Sequence, residues 1–128
     1  MKLTIEIEEE SHIESYLSIV SIGILECLRR GRIDCHEAMT LLYEPGYIDM
    51  FEPIMPNLGH AIHLGTELED VESIIPDKMD WSIDQIYELN LSSVRLNKRK
   101  QPGKPSIQYT VNPENPTTPM RYTLELDG

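Results

Sequence analysis

The sequence predicts an α+β domain: three or four helices packed around a central apolar helix, with a small sheet from an N-terminal strand and a C-terminal β-hairpin. Three observations predict it. Ser11 to Gly31 is the one long stretch that is apolar on nearly every side. Lys2 to Glu8 alternates strictly, Leu3, Ile5 and Ile7 on one face against Lys2, Thr4, Glu6 and Glu8 on the other, which is the period of a half-buried strand. Ser106 to Val111 and Met120 to Leu126 alternate in the same way across the turn-rich run NPENPTTP. Two strands alone are marginal in water, so the N-terminal strand is expected as the third.

In the central helix, Ser11 with Glu14 three residues later reads as a capping box. Ile13, Tyr16, Leu17, Val20, Ile24 and Leu28 keep the spacing of one buried stripe, and Ile19, Ile22 and Leu25 widen it. Arg29 and Arg30 suit the negative end of the helix dipole, and Gly31 suits a left-handed cap. The unbroken apolar-or-small run from Tyr16 to Leu25 is about half of the roughly 20 residues that a bilayer span needs, so a membrane is not expected. Asp34 with Glu37 predicts a second cap and a short helix through Leu42, ended by Pro45-Gly46. Tyr47, Met50, Phe51 and Ile54 keep helical spacing, but Pro53 and Pro56 limit the element to one or two turns.

Asn57 can cap a short element through Leu64, and HAIHL fits helix and strand alike. Thr66 with Glu69 reads as a capping box after Gly65, opening a helix with Leu68, Val71, Ile74 and Ile75 inward. Asp80 can cap a last helix whose stripe is Ile83, Ile86, Tyr87, Leu91 and Val94.

With 128 residues the chain has room for one domain with a real core. Its parts are expected to be an acidic helical body with the N-terminal strand (1–94), a basic loop or linker (95–105), and a hairpin completing the same domain (106–128). The formal net charge is −11 and is unevenly spread: residues 1–94 hold 19 acidic against 5 basic side chains, and residues 95–128 hold 3 against 6. An acidic body repels phosphate backbones and anionic lipid, so nucleic acid is not an expected partner, while a basic protein surface is. The basic loop, with Arg95, Lys98, Arg99, Lys100 and Lys104, has no interleaved aromatics and suits contact with an acidic surface, its own or that of a second copy in a homodimer. The N-terminus has neither the basic nor the apolar region of a signal peptide, which predicts a cytoplasmic protein. Cys27 and Cys35, with no CxxC spacing, predict reduced, buried thiols.

The runs SIGILECLRRGRIDCHEAMTLLY and HLGTELEDVESIIPDKMDWSIDQI resemble a family of small bacterial proteins of about this size for which no function is established. The resemblance covers about 10 to 95 and transfers no catalytic residue. In size, charge and absence of active-site motifs the chain also resembles the small acidic immunity proteins and inhibitors that bacteria and phages set against toxic or defence enzymes. That likeness implies a non-catalytic binding protein which blocks a partner with a basic surface.

The residues themselves offer few reactive sets. There is no glycine-rich phosphate loop, zinc-ribbon spacing or GxSxG. His60, His63, Glu67 and Asp70 recur at i, i+3, i+7 and i+10, a zinc, manganese or iron set if one helix ran through Gly65. Gly65-Thr66 reads instead as a stop and a new start, so a metal-dependent enzyme using His60 and His63 is the alternative, a small-ligand binder is a third reading, and no cofactor is expected. Cys35 and His36 are sequence neighbours and point about 100° apart on a helix, too far to act as nucleophile and base. The best functional candidates are seven carboxylates on two consecutive elements, Glu67, Glu69, Asp70 and Glu72, then Asp80, Asp84 and Glu88, with only Lys78 between as a cation. They are expected to be the surface that a basic partner meets.

Overall fold

The computed structural model describes residues 1–95, 107–113 and 120–124. The expected basic loop therefore lies outside the described residues apart from Arg95, as do residues 114–119 of the hairpin loop and the end of the last predicted strand. The fold is α+β. Its elements run β1 (Lys2–Glu6), α1 (Glu10–Arg29), α2 (Cys35–Leu41), α3 (Pro45–Phe51), α4 (Pro56–Thr66), α5 (Leu68–Ile74), a 3-10 turn (Pro76–Lys78), α6 (Met79–Ser93), β2 (Ile107–Asn112) and β3 (Met120–Leu124).

The chain forms two compact units, one from Met1–Ser15 with the described part of Arg95–Gly128, the other from Tyr16–Val94. In the first, the strands form an antiparallel sheet in the order β1-β2-β3. The register sets Leu3 opposite Val111 and Ile5 opposite Tyr109, so apolar side chains share one face of the β1–β2 pair while Thr4 and Thr110 share the other. The Arg95 backbone N–H donates to Ser15 Oγ at 2.8 Å.

Helix α1 starts one residue earlier than expected. Glu9 O accepts from the N–H groups of His12 and Ile13 at 3.0 Å, and the Ser11 hydroxyl donates to the Glu9 carboxylate at 3.2 Å. The Ser11/Glu14 capping box is not formed, because an acidic run before the helix already favours its positive end. The C-terminus is as expected: Gly31 has φ +68°, with Arg32 N–H donating to Cys27 O (2.8 Å) and Gly31 N–H to Leu28 O (3.1 Å), a Schellman cap. The Asp34 capping box also forms, Glu37 N–H donating to Asp34 Oδ1 at 2.8 Å and Asp34 N–H to Glu37 Oε1 at 3.3 Å. Pro45 opens α3 rather than ending α2, since its missing N–H costs nothing at a helix start.

In the helical unit α4 packs against α3 and α6, and α5 against α6 and α2. Leu58, Gly59, Ala61, Ile62 and Gly65 are the buried side of α4, a helical spacing that resolves HAIHL as helix and carries it through Gly65. Gly65 is required there: a Cβ at this position would lie 2.7 Å from Tyr43 Cδ2 and closer to Cγ. Thr66 does not cap a new helix. Its hydroxyl donates to His63 O at 2.6 Å, and Glu67 precedes α5 without a side-chain cap. Asp80 likewise lies inside α6, which Lys78 precedes.

The centre of this unit is more polar than expected. The fully buried line on α1 is Ser18, Ser21, Ile24 and Leu25, while Leu17, Val20 and Leu28 are half-buried and Ile19 is exposed. On α6 the buried line is Ile83, Ile86, Asn90 and Ser93, leaving Tyr87 and Leu91 outside. Asn90 Nδ2 donates to Ser21 Oγ at 2.6 Å, and Ser21 Oγ shares a 2.7 Å hydrogen bond with the Tyr43 hydroxyl. Small serines let neighbouring backbones approach, and the Ser21 hydroxyl meets both the amide nitrogen and the phenol that this approach carries inward.

Candidate functional site

All seven carboxylates singled out from the sequence are exposed, but they fall into separate neighbourhoods. Asp84 forms an ion pair with Arg29 across α1 and α6. Asp84 and Glu88, with Ile22, Glu26, Arg29 and Tyr87, line a polar groove of about 450 Å³ there. The Arg29 guanidinium is pushed up, first by its hydrogen bond to Asp84 and further by the fields of Asp84, Asp80 and Glu26. Asp80 thus belongs electrostatically with this group. Glu72 points the other way, toward α2, where the Cys35 thiol donates to its Oε2 at 3.7 Å, and Glu69 acts on the same thiol through its field. Glu67 stands on a third side, 3.4 Å from His63 Nε2. Asp70 is exposed near the start of α5.

The feature that sequence reasoning missed lies beside Glu67. A cleft of about 570 Å³ opens between α4, α5 and α6, within the helical unit. Its walls are Leu64 from α4, Val71 from α5 and Ile75 just after it, and Trp81 from α6, with His60, Glu67, Lys78 and Gln85 at polar positions. Trp81 is the only tryptophan of the chain and is 61 % exposed. Ile75 is 47 % exposed, and neighbouring Ile74 is 74 % exposed. Both isoleucines were expected to face inward. Helix α5 has only seven residues, and Leu68 alone is buried on it, because two turns present little more than one side chain to the core. The available signal was Trp81 itself: it lies off the Ile83–Ile86 stripe, where a solvated helix face rarely carries so large an apolar side chain.

The histidines separate in role. His60 lines the cleft, and His63 pairs with Glu67 on the exposed side of α4. Among the described residues no three His, Cys, Asp or Glu side chains are grouped so as to hold a metal ion. Among them too, no helix is long and apolar enough to cross a membrane.

Cys35 is half-buried and not disulfide-bonded, and burial together with Glu72 pushes its thiol up to about 11. Both causes disfavour the thiolate, the reactive form, so at pH 8 alkylation of Cys35 should run about a hundredfold slower than that of an unperturbed thiol. Glu72→Gln should speed it several-fold without abolishing the effect, since desolvation is the larger cause. Peptide mapping after timed iodoacetamide treatment checks this, and a Cys35 rate equal to that of a free thiol would contradict the arrangement.

No curated protein matches the chain, and no solved structure does. One family matches from residue 8 to residue 109, beyond the boundary near 95 expected from the resemblance and into β2. That span holds the six α-helices of the described residues and the whole lining of the cleft, which falls within residues 60–85. Since the match covers most of the chain, the protein belongs to the family described as protein of unknown function (DUF3969).

Proposed function

We propose that this is a non-catalytic protein-binding module, an acidic inhibitor of the immunity type, which holds a partner of basic surface on the α4–α5–α6 face. The observation that carries the reading is the exposed Trp81 in an apolar cleft on a strongly acidic body. Protein interfaces concentrate their energy in a few aromatic anchors inside a polar rim, and tryptophan is prominent among them. Trp81 of α6 with Ile74 and Ile75 supplies such an anchor, and Glu67, which precedes α5, with Glu69, Asp70 and Glu72 of α5 supplies negative charge. Apolar contact gives the affinity, while the field of the carboxylates raises the encounter rate and rejects acidic surfaces. The carboxylates of the Arg29 groove add to the long-range field without touching the cleft.

A photo-cross-linking residue at Gln85, inside the cleft, is expected to capture one basic protein from native lysate, which can then be purified and titrated. Neutralising Glu67, Glu69, Asp70 and Glu72 to Gln or Asn should weaken binding by more than tenfold, about 1.4 kcal/mol. Neutralising Glu8, Glu9 and Glu10, which removes comparable charge elsewhere, should not. Equal losses from both sets would reduce the effect to net charge, and no loss from the first would refute the acidic face.

A further inference from the structure

Strand β1 is at the edge of its sheet: β2 lies on one side, and among the described residues no strand lies on the other. An open edge carries a row of backbone donors and acceptors that invites another strand, and charged side chains are the usual means of discouraging it. In β1 the charges have the opposite effect. Lys2 and Glu6 stand two residues on either side of Thr4, with opposite signs, so the strand is complementary to itself when reversed.

We propose that β1 pairs antiparallel with β1 of a second copy about a two-fold axis at Thr4, joining the two sheets into one of six strands. In this register Lys2 lies opposite the partner's Glu6, Leu3 opposite the partner's Ile5, and Thr4 opposite the partner's Thr4. Each heterotypic pair occurs twice, as an isologous contact requires. Directly opposed residues share a face, so the ion pairs fall on the polar face of the sheet. The Leu3 and Ile5 pairs fall on the apolar face, continuing the Leu3–Val111 and Ile5–Tyr109 pairs within each copy. Leu3 and Ile5 are 59 % and 40 % exposed and gain apolar neighbours from the second strand. A slip of one residue would set apolar against polar positions, and a slip of two would leave a charge without its mate. Only the register centred on Thr4 pairs all five residues.

Five-residue strands bury less than a standard interface, so the association is weak and depends on concentration. Sedimentation velocity from about 1 µM to 1 mM should show the weight-average mass rising from 14.7 kDa toward twice that value. Lys2→Glu opposes two acids at both ends of the contact, and Glu6→Lys opposes two lysines. Each variant alone, with its folded state verified by circular dichroism, should dimerise at least tenfold more weakly. Mixed in equal amounts they restore both ion pairs, and dimer should return to within about threefold of wild type. A wild type that stays at 14.7 kDa throughout, single variants that dimerise as well as wild type, or a mixture no tighter than its components would each overturn the proposal.

Discussion

Tyr43→Ala should destabilise the protein by about 4–5 kcal/mol, the upper part of the range for emptying a buried aromatic site. Tyr43 is the largest of the fully buried side chains, its ring lies against Gly65, and its hydroxyl contacts both the hydroxyl and, at 3.4 Å, the backbone carbonyl of Ser21. Truncation leaves a cavity and removes one partner of Ser21, and each adds to the loss. Burial also pushes the phenol well above its usual range, against a smaller opposite effect of the Ser21 hydrogen bond, so the group stays neutral and the folded state carries no buried charge below strongly alkaline pH. Tyr43→Phe keeps the ring and should cost about 1–2 kcal/mol. Gly65→Ala should cost about 1–3 kcal/mol by driving a methyl into the ring, yet it should stabilise the Tyr43→Ala protein, where the methyl fills vacated space. Urea unfolding with an unchanged m-value measures all four. A Tyr43→Ala loss under about 1 kcal/mol, or additive effects of the two substitutions, would remove the ring from the centre of the unit.

The second large effect is on binding and should leave stability nearly alone. Trp81→Ala is expected to weaken the captured partner's affinity by thirtyfold or more, about 2 kcal/mol, while changing the unfolding free energy by less than about 1 kcal/mol, because most of the indole is in water. Being the only tryptophan, Trp81 reports on its own surroundings. Its emission should shift to the blue as the partner covers the cleft, and salt should slow association more than it speeds dissociation. Unchanged affinity in Trp81→Ala would transfer the site to the carboxylates, and an unchanged emission spectrum in a saturated complex would leave the cleft uncovered.

Both predictions depend on features of unequal visibility in the chain. Local chemistry was legible wherever a few neighbouring residues settle the outcome. The alternating run of β1, the Gly31 cap, the Asp34–Glu37 box and the helical spacing of α1 and α6 each follow from the backbone within one or two turns. Caps whose neighbours compete were misread. Glu9 displaced Ser11, and Thr66 turned back to His63 because α4 continued through Gly65, where packing against Tyr43 favours a glycine inside a helix.

By itself the sequence determined the α+β class, the strand alternation, the acidity of the body and the absence of a strong catalytic motif, all of which follow from side-chain type and period. The tertiary structure decided what a given side chain faces. Ser21 and Asn90 are buried with Tyr43 because the Ser21 hydroxyl bonds both the Asn90 amide nitrogen and the Tyr43 hydroxyl across segments some twenty to seventy residues apart, a compensation that hydropathy along the chain does not register. Ile74, Ile75 and Trp81 are exposed because, among the described residues, a seven-residue helix and the 3-10 turn at Pro76 leave no element over them. Of the seven carboxylates, Asp80, Asp84 and Glu88 beyond the turn at Pro76 gather with Arg29, Glu69 and Glu72 act on Cys35, Glu67 stands beside the cleft, and Asp70 is exposed near the start of α5. Periodicity specifies which residues share a face, and only the packing of one element on another specifies whether that face meets protein or water.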